Sequence, residues 1–353
     1  MKSCGERQYA QKDAPEKQDG DDVMKALLPL VAILTVAGLA YAGGEFAATR
    51  LFLGTVLPYA AMATFLIGVS YRVIRWANVP VPFHIPTTCG QQKTLPWIKS
   101  SWIESAHNKP GVVMRMALEI LFFRSLFRNS RAQLGEGPRL LYAENKWLWL
   151  GALAFHWSLL IILLRHMRLF VNPVPAFVLR LDAMDGFFHI GAPVVLATDV
   201  VVVLALLYLL KRRITNRSVR YISLAADYFA LLLLLGIVTT GILMRYFLHI
   251  DLEGVKQLAL GLVIFSPKVP ATIGPLFFVH LTLVSVLLAY FPFSKLVHMG
   301  GIFLSPTRNL ANDSRSKRHV NPWNYPVKVH TYQEWEEEFH DKIKESGLPL
   351  EKE

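Results

Sequence analysis

The sequence predicts an all-α bundle of about six membrane-spanning helices, and three observations carry that prediction. Of its 353 residues 53% are hydrophobic, and they gather into six long blocks instead of spreading in amphipathic patterns. Basic residues concentrate on alternate connections between the blocks. Two blocks also carry paired histidines where lipid would otherwise surround them, and ionisable groups at such positions usually mark a function.

Residues 1–22 are polar and charged, without hydrophobic period, and read as a disordered tail. The run MKALLPLVAILTVAGLAYAGG from Met24 has the form of a natural start, which makes residues 1–23 an upstream extension or a processed leader. Lys25 to Gly43 is a first spanning helix or, because Ala40-Tyr41-Ala42 resembles a signal-peptidase site, a removed signal that would leave five spans. A second span at about 51–76 completes an N-terminal unit, 23–76, and ends in Tyr71, Arg72, Arg75 and Trp76, side chains suited to an interface.

The loop 77–145 soon reaches VPVPFHIP, which cannot continue a helix. Within it, 112–128 has apolar residues at helical spacing together with Arg115, Arg124 and Arg128. Too short and too charged to span, it reads as an interfacial amphipathic helix or a docking surface for a soluble partner. Residues 146–304 form a four-helix membrane domain, with spans at about 146–170, 186–210, 221–248 and 274–298. Residues 305–353 are a polar tail, in which TYQEWEEEFHDKIKESGLPLEKE predicts a short exposed helix open to a partner.

All but seven of the 37 Lys and Arg lie in or beside the N-terminal tail, the 77–145 loop, the KRRITNRSVR turn and the C-terminal tail. The positive-inside rule makes these cytoplasmic. The expectation is a multi-pass protein of the bacterial cytoplasmic (inner) membrane with a cytoplasmic C-terminus. The net charge of +11 then reflects topology, and nucleic acid is not an expected partner. Cys4 and Cys89 are too few and too far apart for an iron–sulfur cluster, and no CxxCH is present for covalent haem.

The four histidines are His156 and His166 in the third span and His280 and His298 in the sixth. Read as straight helices, the spacings correspond to rises of about 15 Å and about 27 Å. Three crossings separate these spans, so they run antiparallel and pair His156 with His298 on the cytoplasmic side and His166 with His280 on the outer side. Tilt and a bend at Pro292 are needed to reconcile the two rises. Imidazole is the usual ligand of haem iron, which gives two non-covalent haems b between antiparallel helices. Iron held by two imidazoles has no open position, so such haems carry electrons. The bland alternative, histidines bonding carbonyls between packed helices, accounts less well for four at compatible depths.

With these residues in place, the sequence resembles the nitrate reductase gamma-subunit family of membrane cytochromes b. FPFSKLVH (Phe291 to His298) is similar to the family's signature around its last haem ligand, and the spacings of ten and eighteen match its four ligands. The resemblance covers roughly Lys146 to Leu310, and implies that His156 with His298 and His166 with His280 hold the two haems. RMALEILFFRSLFRN (Arg115 to Asn129) and the C-terminal tail resemble the DsrM branch, found in DsrMKJOP complexes of dissimilatory sulfur metabolism. That branch implies a menaquinone-linked subunit exchanging electrons with a cytoplasmic iron–sulfur partner of the DsrK type, and ultimately with the DsrC trisulfide. Other membrane and periplasmic subunits, a cytochrome c among them, would complete the assembly.

A quinone needs an apolar slot beside a haem and a few polar groups for its oxygens. Asp185, His189 and Arg168, near the outer ends of the third and fourth spans, are the candidates, with His189 first because imidazole titrates in a useful range. Arg165 and Arg168 are alternatively expected to neutralise haem propionates or to snorkel. Asp199, Asp227 and Arg245 are assigned to internal ion pairs. His84, His107, His249, His319, His330 and His340 read as solvated loop or tail residues. One rival function, a proton-coupled transporter with relay histidines, lacks the expected internal repeat; another is the cytochrome b subunit of a nitrate reductase or heterodisulfide reductase type of complex, and a passive anchor would have no need of the four histidines.

Overall fold

A computed structural model of the chain describes residues 17–79, 91–134, 140–186, 194–305, 308–315 and 329–351. The apolar blocks fold as helices because a backbone in lipid must satisfy its polar groups within its own segment. Helix α1 (Lys17–Gly43) begins inside the polar tail that was expected to be disordered. Helices α2 (Ala47–Leu51) and α3 (Leu57–Ala77) join through a π-helical turn, Phe52–Val56, into one span. Helix α4 (Lys109–Phe122) and the single turn α5 (Arg124–Phe127) follow, then an antiparallel hairpin of β1 (Ser130–Leu134) and β2 (Leu140–Glu144), paired from Ser130 with Glu144 to Leu134 with Leu140. That hairpin is the one departure from an all-helical chain among the described residues.

From Lys146 the chain forms α6 (Lys146–Phe170), α7 (Ala176–Asp185), α8 (Ala197–Thr215), α9 (Arg217–Tyr221), α10 (Ala225–Tyr246), α11 (Leu252–Val263) and α12 (Pro275–Tyr290). Among the described residues five helices are long and apolar enough to cross a membrane: 24–43, 47–77, 146–170, 225–246 and 275–293. The fourth expected span differs. The apolar block predicts it over 186–210, but its helix, α8, begins at Ala197 and carries the basic run Lys211-Arg212-Arg213 near its end. Residues 194–196 are not helical, so Asp199 falls in the first turn of α8, not at its middle.

Packing is inside-out, as lipid requires. Leu28, Leu34, Leu39 and Ile67 face outward at 61–71% exposure, while small residues let helices approach. A Cβ on Gly151 would meet the Tyr208 ring of α8 at 2.6 Å, and one on Gly68 would meet Pro292 at 2.6 Å. Helix α6 packs chiefly on α7, α8 and α11, and α12 chiefly on α1, α3 and α10. Helix α10, in contact with α1, α8 and α12, connects the two sides.

The last span is not one straight helix from 274 to 298. Helix α12 stops at Tyr290 and the chain continues through 3-10 turns at Phe291–Phe293 and Lys295–Val297 into α13 (His298–Gly301) and a further turn, Ile302–Leu304. Pro292 has no N–H to give a helix, and its carbonyl accepts from Arg72 Nε of α3 at 2.9 Å. Ser294 is extended (φ −109°, ψ 176°) and its Oγ accepts from Leu296 N at 3.1 Å, starting the next turn. Lys295 Nζ donates to Asp227 of α10 at 2.8 Å. The straight-helix rise of 27 Å therefore does not apply. From His280 to the end of α12 is ten residues, the spacing of His156 and His166. Gly68→Leu is expected to displace Pro292 and with it His298, so haem content of the purified variant should fall while the helical circular-dichroism signal is retained.

Helix α4 is capped by Asn108, whose Oδ1 accepts from Gly111 N at 3.0 Å. The expected single helix 112–128 breaks at Phe123, in the left-handed region (φ 51°). Its buried side is the polar one. Arg115 donates to the carbonyls of Arg308 and Leu310 at 2.6 and 2.8 Å, and Glu119 binds Ser125 and Arg308. Burial pushes the Arg115 guanidinium below its usual pKa, with Arg308 adding to the shift and Glu119 opposing it. Val113, Met114 and Phe122 face outward. Helix α14 (Tyr332–Glu345) lies in the tail, closed at its start by a Thr331–Glu334 capping box.

Candidate functional site

Both histidines of α6 are anchored by the helix that carries them. His156 Nδ1 meets Ala152 O at 2.7 Å and His166 Nδ1 meets Ile162 O at 2.7 Å, each four residues back. His298 Nδ1 meets Lys295 O at 2.8 Å, a contact that the broken end of α12 makes possible. A carbonyl only accepts, so in all three rings the proton sits on Nδ1 and the lone pair on Nε2. His280 reaches the same state by another route. Its Nδ1 lies 2.9 Å from Thr240 Oγ1, and that hydroxyl donates its own proton back to Gly236 O or Ile237 O, both at 2.9 Å. With its proton on a helix carbonyl, that hydroxyl has a lone pair free for His280 Nδ1–H. No Nε2 of the four makes a hydrogen bond among the described residues. Neutral imidazole with Nδ1–H engaged and Nε2 bare is the form that binds a metal.

The proximal pair, His156 and His298, lies at the end where α6 begins, with ring centroids 6.0 Å apart and planes at 81°. Phe123 and Phe155 stand edge-on to His156 at 5.0 and 4.9 Å. The indoles of Trp149 and Trp157 donate to Phe122 O and Leu121 O at 2.7 and 2.9 Å, so the C-terminal carbonyls of α4 are tied to α6 and Phe123 is held over the histidine. The distal pair, His166 and His280, lies at the other end, where the two rings are near enough to interact electrostatically. Thr240→Val removes the acceptor of His280 Nδ1–H without changing size, and outer-sphere partners of this kind are worth about 10–100-fold in metal affinity. If His280 holds haem iron, the variant should lose haem on dilution or chelator challenge at a rate the parent does not show.

Beside the distal pair is a charged network. Arg165 binds Asp182 through Nε at 3.1 Å, binds Asp185 and Thr198 through Nη1, and lies 3.8 Å from Asp199. Arg168 binds Asp182 at 3.1 Å. Asp185, buried, also accepts from Thr198 N at 2.8 Å, and Tyr246 OH donates to Asp199 at 2.8 Å while accepting from Leu196 N. A carboxylate of α7 and a tyrosine of α10 thus close the first turn of α8, which has no cap of its own. The structure brings Arg165, Arg168 and Asp185 together, with both arginines engaged by carboxylates. His189, like His84 and His319, lies outside the described residues.

At the proximal end Asp227 pairs with Lys295 and Arg213. Arg245 makes no ion pair among the described residues. Phe123, Thr240 and Gly241 were not anticipated from the sequence. Each acts on a histidine from a different helix, and the only available sign was a polar Thr-Thr-Gly step inside an otherwise apolar block.

The nitrate reductase gamma subunit family model matches residues 114–314, from α4 to just past the last haem-ligand candidate. The chain is 48% identical over 277 residues to the Hdr-like menaquinol oxidoreductase cytochrome b-like subunit of Archaeoglobus fulgidus, covering 76% of this chain and 82% of the relative. It is 42% identical over 280 residues to the subunit of the same description from Archaeoglobus profundus, covering 77% and 83%. A more distant likeness, 28% over 203 residues, 54% of this chain and 88% of the other, joins it to the nitrate reductase gamma chain of Bacillus subtilis.

Proposed function

Because the chain belongs to the nitrate reductase gamma-subunit family of membrane cytochromes b, we propose that it carries electrons between menaquinone and an iron–sulfur partner through two haems b. The observation that carries this reading is the state of the four imidazoles, all with Nδ1 committed and Nε2 bare. The spacing of the proximal rings supports it. Rings 6.0 Å apart would leave room for one haem iron between His156 and His298.

His156 with His298 and His166 with His280 are the assigned ligands. Held this way, haem iron supplies one-electron transfer without a position open to substrate. The chain's own contribution is orientation and exclusion. Ala152, Ile162, Lys295 and Thr240 fix the ring tautomers. Phe123 and Phe155 exclude water from the proximal side.

The positive-inside rule puts the proximal pair on the cytoplasmic side and the distal pair on the outer side of a bacterial cytoplasmic membrane. Menaquinol oxidation is assigned to the distal end, with Arg168, Asp185 and, from its place in the sequence, His189 as the groups for its oxygens and for the two protons it releases with its two electrons. The electron acceptor is a cytoplasmic iron–sulfur subunit of the DsrK, heterodisulfide-reductase-like kind, in dissimilatory sulfur metabolism. The names of the two archaeal relatives support the quinone and the heterodisulfide-reductase likeness. Anaerobic addition of a water-soluble menaquinol analogue to the purified, reconstituted chain should reduce its haem within the mixing time of seconds to minutes. Haem that dithionite reduces but the quinol analogue does not would contradict the quinone-linked reading.

A further inference from the structure

A porphyrin held inside an apolar bundle brings two propionate carboxylates with it, and buried charges need partners. The arginines nearest the distal histidines along the chain are already engaged, Arg165 and Arg168 by Asp182, Asp185 and Asp199. Arg245 is different. It stands in the last turn of α10, and its Nε is buried without a hydrogen-bond partner among the described residues. The neighbouring Tyr246 ring, 5.6 Å from its guanidinium carbon, offers only a π face. Leaving a buried donor unmet is costly, and more so for a charged group. The position calls for an anion.

Its place on α10 says which one. Thr240 Oγ1 meets His280 Nδ1 at 2.9 Å. A Cβ built on Gly241 points 3.5 Å from His280 Cε1 and 3.9 Å from Nδ1. Cε1 lies between the two ring nitrogens, so from Thr240 to Gly241 the helix surface moves from the engaged nitrogen toward the bare one. Arg245 is four residues beyond Gly241. It lies on the same stripe, one turn or about 6 Å nearer the distal end. A guanidinium fork there is within a side chain's reach of a group seated at His280 Nε2, and it matches a carboxylate in two parallel hydrogen bonds.

We propose that Arg245 binds a propionate of the haem held by His166 and His280. This rests on the two-haem reading above, and the test separates the two. Loss of a cation beside one haem disfavours its reduced form. In redox titrations of the purified full chain, Arg245→Gln should keep two haems and lower the reduction equilibrium constant of one about tenfold, a downward shift of about 59 mV for one electron, with the other unmoved. Arg180→Gln, which removes an exposed charge from α7, should move neither. Two unshifted potentials in Arg245→Gln would overturn the proposal. If that variant does not assemble, Arg245→Lys keeps the charge but not the fork, and the propionate bending band of one haem should shift in its resonance Raman spectrum; an unchanged band overturns the proposal equally. A folded parent chain without haem would instead overturn the two-haem reading.

Discussion

His298→Ala is expected to halve the haem b content of the purified chain and to abolish electron flow from quinol to acceptor. His298 is the ligand candidate most dependent on tertiary structure. Helix α12 ends eight residues before it, and the ring is presented by short turns that Arg72, Asp227 and Gly68 hold in place. His156 would then face its 6.0 Å partner position alone. One imidazole retains haem far less well than two, and an opened iron position would bind added carbon monoxide. The distal pair, on other helix turns, should keep its haem. His330→Ala, in the exposed start of the tail, should change neither haem content nor flow. A His298→Ala chain with full haem and full flow would leave the pair without a role, as a passive anchor would have it.

Arg165→Leu is the second large effect. One guanidinium, with its side chain 10% exposed, faces three carboxylates from two helices, and the side chain of Asp185 is 5% exposed. Removing one partner of a buried ion pair costs about 3–5 kcal/mol because the remaining charge stays uncompensated. The loss should appear as an earlier unfolding midpoint in detergent titrations, since α6, α7 and α8 all meet at this residue. Arg165→Lys should recover only part of it, because an ammonium does not span two carboxylates as a planar fork does. Arg180→Leu, exposed on the same end of α7, is the control that should leave the midpoint in place.

What was legible in the sequence follows from which interactions are local. Long apolar blocks must be helices in lipid, so the spans around Lys25, Leu51, Lys146, Ala225 and Pro275 could be read directly. The four histidines stood out because an imidazole in such a block is costly, and antiparallel topology alone suggested which would face which. The break after Tyr290 was half visible: Pro292 announced a bend, but whether it tilts a helix or ends it is decided by Arg72 and Gly68, more than 200 residues earlier. The late start of α8 was hidden for the same reason, since Asp185 and Tyr246 supply the cap that its own sequence lacks. In α4 the apolar period was read correctly, yet which side is buried depends on carbonyls at 308 and 310. Carboxylates on α7 and α8 engage Arg165 and Arg168 in a network that the sequence did not show, while Arg245, expected in an ion pair, has no such partner among the described residues.

The central claim is that bare Nε2 atoms at positions 156, 166, 280 and 298 hold iron in two places. Haem b assayed per mole of purified, folded chain, together with low-temperature electron paramagnetic resonance of the oxidised sample, tests it most directly. The account requires two haems per chain, both low-spin with two nitrogenous axial ligands. A folded, helical chain that takes up no haem, or one whose ferric signal is wholly high-spin, would contradict it.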